Sequence, residues 1–166
     1  MAIPIMWGCN TSTTLIIYSD EDIINIADYI EDRQEEYSKF YRVMLEGDLK
    51  DPLSAYNPFG NGFTLFLPTD EAFDRFIQNN DDYSSFDELI DDKAFVRILG
   101  RYHLVHMQLQ TNEFPYGALP DTTATGDILT IGFSTSLDST IYKVNNVAPV
   151  IEANLERKLH TLVLLD

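Results

Sequence analysis

The sequence contains one cysteine, Cys9, and only three histidines among 166 residues. A single cysteine excludes an intramolecular disulfide and any metal cluster built on several thiolates. Basic residues are also scarce, with 11 Lys and Arg against 27 Asp and Glu and a formal net charge of -16. Because a chain of this charge repels polyanions, nucleic acid is not expected as a partner.

Long hydrophobic runs and catalytic motifs are missing as well. No stretch reaches the roughly 18 apolar residues that a membrane-spanning helix needs. The sequence shows no nucleophile elbow, phosphate-binding loop, dinucleotide fingerprint or zinc-binding helix, so neither an enzyme nor a cofactor is predicted. Glycosidases need only two carboxyl groups at a suitable separation, without any motif, and hydrolysis of a polysaccharide therefore stays open as an alternative.

The first residues, MAIPIMWGCN, are apolar up to Gly8, which precedes Cys9. This segment resembles the end of a bacterial lipoprotein signal, in which a small residue precedes the lipid-accepting cysteine. The resemblance implies that Cys9 is a lipid anchor, that residues 1–18 are a truncated signal and tether, and that the protein is extracytoplasmic, at the cell surface or the outer membrane. The first basic residue is Arg33, so a working signal would begin upstream; the alternative is a tail with an ordinary thiol.

What the sequence does contain is material for one core. With 45% hydrophobic residues, a single domain over residues 19–166 is expected. Ser19 to Asp22 offer a helix N-cap ahead of an apolar stripe, and a second stripe ends at Gly47. The stripes consist of Ile23, Ile26, Ala27 and Ile30, and of Tyr37, Phe40, Tyr41, Met44 and Leu45.

Two further helices are indicated, the first by a capping box of Ser85 and Glu88, the second by Asp91 and Asp92 ahead of an apolar stripe. Strand patterns follow, and since no helical segments separate them, they predict an α+β domain with mostly antiparallel pairing. The predicted late strands are Ile128 to Phe133, Thr140 to Val144, Val147 to Glu152 and Leu159 to Leu165.

The segment FTLFLPTDEAF, from Phe63 to Phe73, combines several signals. Its apolar beginning suits a strand covered on both faces, and Pro68 ends the strand. Thr69 or Asp70 then caps a helix whose apolar side chains, Phe73, Phe76 and Ile77, are expected to face inward.

The same string resembles the first signature box of fasciclin domains, an apolar strand followed by A-P-T-D-x-A-F. The resemblance continues with Tyr102-His103, which is similar to the Tyr-His pair of the family, and with His160 in a weaker second box, where Arg157 and Lys158 stand in place of the usual Asn-Gly. Gly126, Leu129, Val144 and Asn145 have spacings similar to the later strands of the family. The implied fold is a wedge-shaped β-sandwich core with several helices packed on it.

The resemblance also implies a function, that of a non-catalytic cell-surface adhesion module whose partner is an extracellular protein or polysaccharide. In animal members the region around Tyr-His is implicated in integrin contact, which makes Tyr102, His103, Leu104 and Val105 candidate binding residues. A structural role in locking helix to sheet is the alternative for Tyr102 and His103. The alternative function is that of a glycan-binding accessory or polysaccharide-degrading protein of the bacterial envelope.

No metal site is predicted. On a strand, the odd spacing of His103 and His106 directs them to opposite faces, and no HExxH motif is present. The acidic pairs Asp81-Asp82 and Asp91-Asp92 lack the alternating ligands and central Gly of an EF-hand loop, so helix capping is the expected role of these aspartates.

Overall fold

The computed structural model describes residues 24–55, 62–135, 140–157 and 160–166. Cys9 and the expected cap from Ser19 to Asp22 lie outside the described residues. The helices are α1 Ile26–Glu31, α2 Gln34–Glu46, α3 Lys50–Ser54, α4 Asp70–Gln78, α5 Phe86–Asp91 and α6 Lys93–Tyr102. The strands are β1 Thr64–Pro68, β2 Leu104–Val105, β3 Gly117–Ala118, β4 Thr130–Thr135, β5 Thr140–Val144, β6 Ala148–Arg157 and β7 His160–Leu165.

The strands form one sheet in the order β2-β1-β7-β6-β5-β4-β3. Strands β1 and β7 pair in parallel, whereas the other described neighbours are antiparallel. The helices contribute to one buried cluster with β1 and β7, and the residues of β4 and β5 contribute to a second cluster with the same two strands. The sheet therefore curls over itself, and the expected α+β fold with a sandwich-like core is confirmed.

Strand β1 is buried along its whole length, as its continuous apolar pattern predicts. Leu65 and Leu67 belong to the cluster under the helices, while Phe66 belongs to the cluster inside the curled sheet. Strand β7 divides in the same way, because side chains alternate between the two faces of a strand. The strand of the Phe63 to Phe73 segment therefore separates the two halves of the core.

Helix α1 begins later than the sequence pattern suggests. Asn25 is its N-cap, and the side chain of Asn25 accepts a hydrogen bond of 2.8 Å from the backbone N–H of Asp28. Asn25 therefore caps this helix, and the expected cap between Ser19 and Asp22 lies outside the described residues. Asn serves as well as Ser or Asp at this position, since each has an oxygen close enough to the first free N–H groups.

Helix α2 ends at Gly47, as predicted, but the reason differs from the expected one. Gly47 has a φ of -87°, and it is Asp48 that adopts the left-handed conformation, with a φ of 57°. A Cβ atom on Gly47 would lie 2.6 Å from the carbonyl oxygen of Val43. Gly47 is therefore required by close backbone packing rather than by a positive φ.

The capping residues of α4 divide two tasks between them. Thr69 caps α4 itself, accepting from the backbone N–H of Ala72 at 3.2 Å. The carboxylate of Asp70 instead reaches α2. There it accepts a hydrogen bond of 2.8 Å from the backbone N–H of Lys39 and one of 2.5 Å from the hydroxyl of Ser38. Tyr37, just before them, interrupts α2 with non-helical dihedrals. Asp70 thus caps the second part of a broken helix that is remote in sequence.

Ser85 and Asp92 cap α5 and α6 as predicted, whereas the capping role expected of Asp81, Asp82 and Asp91 is wrong, because Asp91 is the last residue of α5 and the other two cap no described helix. The hydroxyl of Ser85 accepts a hydrogen bond from the backbone N–H of Glu88 and so caps α5. The carboxylate of Glu88 does not complete the capping box with Ser85, because it accepts hydrogen bonds from the backbone N–H and the hydroxyl of Ser84. Asp92 caps α6 and also accepts from the hydroxyl of Tyr83. These partners account for Asp92 without a bound cation.

Helix α6 contains Gly100 at a point where the helix packs closely against Leu49. A Cβ atom on Gly100 would meet the side chain of Leu49. Among the described helices, none has the length and apolar character required to cross a membrane.

The remote cap leads to a stability prediction. Asp70→Ala removes a charged acceptor from two donors at the start of the second part of α2, so we expect a loss of about 2–3 kcal/mol of unfolding free energy. The matched control is Asp74→Ala, which removes only a half-exposed ion pair with Lys39 and should cost less than about 1 kcal/mol. Urea unfolding followed by circular dichroism measures both, and equal losses would contradict the proposed role of Asp70.

Candidate functional site

The four candidate binding residues lie where α6 passes into the sheet. Tyr102 is the last residue of α6, His103 is its C-cap, and Leu104 and Val105 form β2. Leu104 and Val105 are 7% and 0% exposed, respectively. Only Tyr102 and His103 therefore have side-chain surface that a partner could reach in this conformation.

Tyr102 connects α6 to the turn between β5 and β6. Its hydroxyl accepts a hydrogen bond of 2.9 Å from the side-chain N–H of Asn145. The side-chain oxygen of Asn145 accepts a second hydrogen bond, also of 2.9 Å, from the backbone N–H of Thr130. Asn145 and Asn146 have φ values of 51° and 60°, and positive φ at both central positions is what a tight type I′ hairpin turn requires. Tyr102 thereby fixes the position of this turn.

His103 has a mainly apolar environment. Its ring lies edge-on to Phe40 and to Tyr102, with centroid distances of 5.8 and 5.9 Å. Burial lowers the pKa of His103 from 6.5 to about 4, while a hydrogen bond with the backbone of Phe66 acts in the opposite direction. The imidazole is therefore neutral near pH 7, and it holds the end of α6 against β1.

The remaining surface of His103 faces a narrow apolar cavity of about 160 Å³. The lining residues come from the end of β1, from α4, from α6 and from the ends of β6 and β7: Pro68, Ala72, Phe73, Phe76, Leu99, His103, Ala148 and Leu165. A wider cavity of about 630 Å³ adjoins it, because both have Ala72, Phe76 and Ala148 in their walls. We name the two cavities together the His103 cleft.

The mouth of the His103 cleft carries polar groups. Arg75 of α4 forms a 2.7 Å ion pair with Asp166. The backbone N–H of Asp166 donates a hydrogen bond of 3.1 Å to the carbonyl of Pro149. Asn79 and Val147 complete the outer wall. The cleft thus combines an apolar inner end with a polar rim.

Most of these residues belong to no sequence motif, and Phe76 was expected to face inward. Phe76 is instead partly exposed and forms a wall of both cavities, while Phe73, one turn earlier, is buried. A helical stripe predicts which residues face the protein, but it does not predict where the opposing surface leaves a gap.

The metal-ligating side chains do not converge in the part of the chain that the structure describes. No group of three or more His, Cys, Asp or Glu residues there has a geometry that could hold an ion. His106 is exposed beyond β2, whereas His103 is turned toward Phe40. The side chain of His160 and the whole of Cys9 lie outside the described residues.

Comparison with known proteins identifies the family. The family model of the fasciclin domain matches residues 35–166, so the chain belongs to the fasciclin family, a family of cell-adhesion-type modules. A solved domain pair from the insect cell adhesion molecule fasciclin I is similar in fold, with a TM-score of 0.57 and 18% sequence identity. The alignment covers 78% of this chain and 43% of the fasciclin I chain. Comparison with curated protein sequences gives no significant match.

The lowered pKa of His103 gives a pH prediction. In the unfolded chain His103 binds a proton below about pH 6.5, whereas the folded protein resists protonation down to about pH 4. The stabilising contribution of neutral His103 is therefore complete above pH 6.5 and is lost as the pH falls toward 4. We expect the difference in unfolding free energy between wild type and His103→Gln to shrink over this range.

Denaturant titrations at several pH values measure this difference. His106→Gln is the matched control, because it replaces an exposed histidine of the same segment, and it should change the unfolding free energy by less than about 0.5 kcal/mol. A difference for His103→Gln that does not change with pH would show that the imidazole is not held neutral by the fold.

Proposed function

We propose that this fasciclin domain is a non-catalytic adhesion module that acts outside the cytoplasm and binds a protein partner through the His103 cleft. The observation that supports this proposal most directly is the adjoining pair of cavities. The narrow one ends at the neutral ring of His103, and the wide one opens to the surface between α4 and the β5–β6 turn.

The inner cavity has the size of a single apolar group. Its volume of about 160 Å³ is close to that of apolar cavities of about 150 Å³ that admit one benzene molecule. Its walls are formed by Phe73, Phe76, Leu99 and Leu165 among others, so a Phe or Leu side chain of a partner would be desolvated there. Burial of one such side chain contributes about 1.5–3 kcal/mol.

The outer cavity suits the peptide backbone on either side of that anchor. Arg75, Asn79 and Asp166 line it, and together they offer both donors and acceptors to peptide N–H and C=O groups. A central apolar anchor surrounded by a polar rim is the common arrangement of energetically important contacts in protein interfaces.

Charge limits the kind of protein that can approach. The net charge of -16 favours association with a neutral or basic segment. Glu71, on the helix that forms one wall of the cleft, is exposed and has no ion-pair partner among the described residues. We therefore expect basic residues beside the apolar anchor of the partner.

This proposal predicts the sequence of peptides that bind. Selection from a random displayed-peptide library on the immobilised domain should enrich one Phe or Leu flanked by Lys or Arg. Isothermal titration with a selected peptide should show a loss of about tenfold or more in affinity when the anchor is changed to Ala. Ala72→Leu, which adds bulk to a wall shared by both cavities, should abolish binding.

Ala94→Leu makes the same change at an exposed position of α6 and should leave binding unchanged. If the selected peptides lack a shared apolar residue, or if they bind Ala72→Leu as tightly as wild type, the His103 cleft is not the binding site.

We further propose that Cys9 carries a lipid that holds the domain at the cell surface or the outer membrane. The support is the Gly8-Cys9 pair after an apolar segment. Bacterial expression from an upstream start with a complete signal should give membrane-associated protein whose N-terminal peptide carries acyl chains in mass spectrometry. Cys9→Ser should be found in the soluble fraction, and an unmodified Cys9 in wild type would contradict the anchor.

A further inference from the structure

A separate surface depression lies on β4 and β5, and Tyr102 and His103 do not line it. It has a volume of about 250 Å³ and is lined by Tyr116, Gly132, Phe133, Ser134, Lys143 and Asn146. Gly132 and Lys143 are directly opposite each other on β4 and β5, so they share a face of the sheet with Ser134. We name this site the Tyr116 depression.

Tyr116 presents an aromatic ring to solvent. It is 78% exposed, yet its ring lies edge-to-face on Phe133 at a centroid distance of 5.2 Å. Phe133 in turn contacts Tyr142, which contacts the buried ring of Phe114. The contact with Phe133 leaves most of the Tyr116 ring exposed, and an exposed aromatic ring suits stacking on the flat C–H face of a sugar ring.

The floor of the depression depends on the missing side chain of Gly132. A Cβ atom there would lie 2.5 Å from the side-chain oxygen of Asn146. The amide of Asn146 therefore lies across Gly132, inside the depression. Asn145 uses its amide on Tyr102 and Thr130, whereas Asn146 and Ser134 have no side-chain hydrogen bond with any described residue. Both groups can bond to hydroxyls of a ligand.

Lys143 differs from the other basic residues whose side chains the structure describes, which excludes Arg157 and Lys158. Six of these side chains form ion pairs with carboxylates: Lys39, Arg42, Lys50, Arg75, Lys93 and Arg97. Arg33 lies over the ring of Tyr29, and Arg101 donates to two backbone carbonyls. Lys143 has no such partner in the described part of the chain, although acidic residues outnumber basic ones by 27 to 11. Its ammonium is available to an anionic group.

From these groups we infer that the Tyr116 depression binds an acidic saccharide, a uronic acid unit whose pyranose face stacks on Tyr116. Asn146 and Ser134 bond to its hydroxyls, and Lys143 pairs with its carboxylate. Because the net charge of -16 repels a densely charged polymer, the ligand carries isolated carboxylates among neutral sugars. This site adds a second surface to the proposed protein-binding domain and does not depend on the His103 cleft.

Two sugars that differ only in the carboxylate test the inference. Methyl β-D-glucuronide and methyl β-D-glucoside are titrated separately into the ¹⁵N-labelled protein, and amide chemical shifts are followed by NMR. We expect saturable shifts at Gly132, Ser134, Lys143 and Asn146 with both sugars. The glucuronide should bind about two- to fivefold more tightly, because its carboxylate forms an ion pair with the exposed ammonium of Lys143.

Variants separate the contributions. Lys143→Gln should bind the two sugars equally, whereas Tyr116→Ala should weaken both by about tenfold and Tyr116→Phe should retain them. Lys93→Gln is the matched control for Lys143, since Lys93 is an exposed lysine on another face, and it should leave both affinities unchanged. The cleft variant Ala72→Leu should also bind both sugars normally, even though it loses the selected peptides.

Three results would overturn the inference. These are the absence of saturable shifts at the four amides, a preference for the glucuronide that survives in Lys143→Gln, and equal weakening by Lys93→Gln. None of these results bears on peptide binding in the His103 cleft, so the two proposals fail independently.

Discussion

The parallel pairing of β1 with β7 is the contact on which the rest of this structure depends. It brings Thr64–Pro68 beside His160–Leu165, and both strands then contribute side chains to the two buried clusters. The pairing continues beyond the end of β1, because the backbone N–H of Thr69 donates a hydrogen bond of 3.0 Å to the carbonyl of Leu165. The start of α4 is thereby fixed next to Asp166, and this arrangement creates the mouth of the His103 cleft.

Three consecutive residues of the turn between β5 and β6 lie in three different environments. Asn145 is held by Tyr102, Asn146 lies in the Tyr116 depression, and Val147, which is 80% exposed, lines the outer wall of the His103 cleft. In the Tyr102-His103 pair, Tyr102 thus has a structural role, since it supports the turn that contributes to both proposed sites, while His103 packs on Phe40. That role is compatible with binding, because His103 also closes the inner end of the cleft.

Local chemistry explains which features could be predicted from the sequence. The buried strand, the Thr69 cap and the Asp92 cap each depend on neighbouring residues, and the structure confirms them. The bond from Asp70 to α2 joins residues 31 positions apart, so no local pattern could have shown it. The two proposed binding sites are harder still to predict from the sequence. Phe76 and Lys143 look like ordinary core and surface residues there, and only the shape of the neighbouring elements places each of them beside a cavity.

The sheet, as far as the structure describes it, ends on both sides in strands of only two residues, Leu104–Val105 and Gly117–Ala118. Such short border strands cover only part of their neighbours: β3 pairs with Thr130 and Ile131, and among the described residues no strand pairs with residues 132–135 of β4 on that side. The backbone N–H and C=O groups along that part of β4 are therefore where an extended segment of another chain could add a strand. Elsewhere recognition is left to side chains, and selectivity can change through surface substitutions while the hydrogen-bonded framework stays the same.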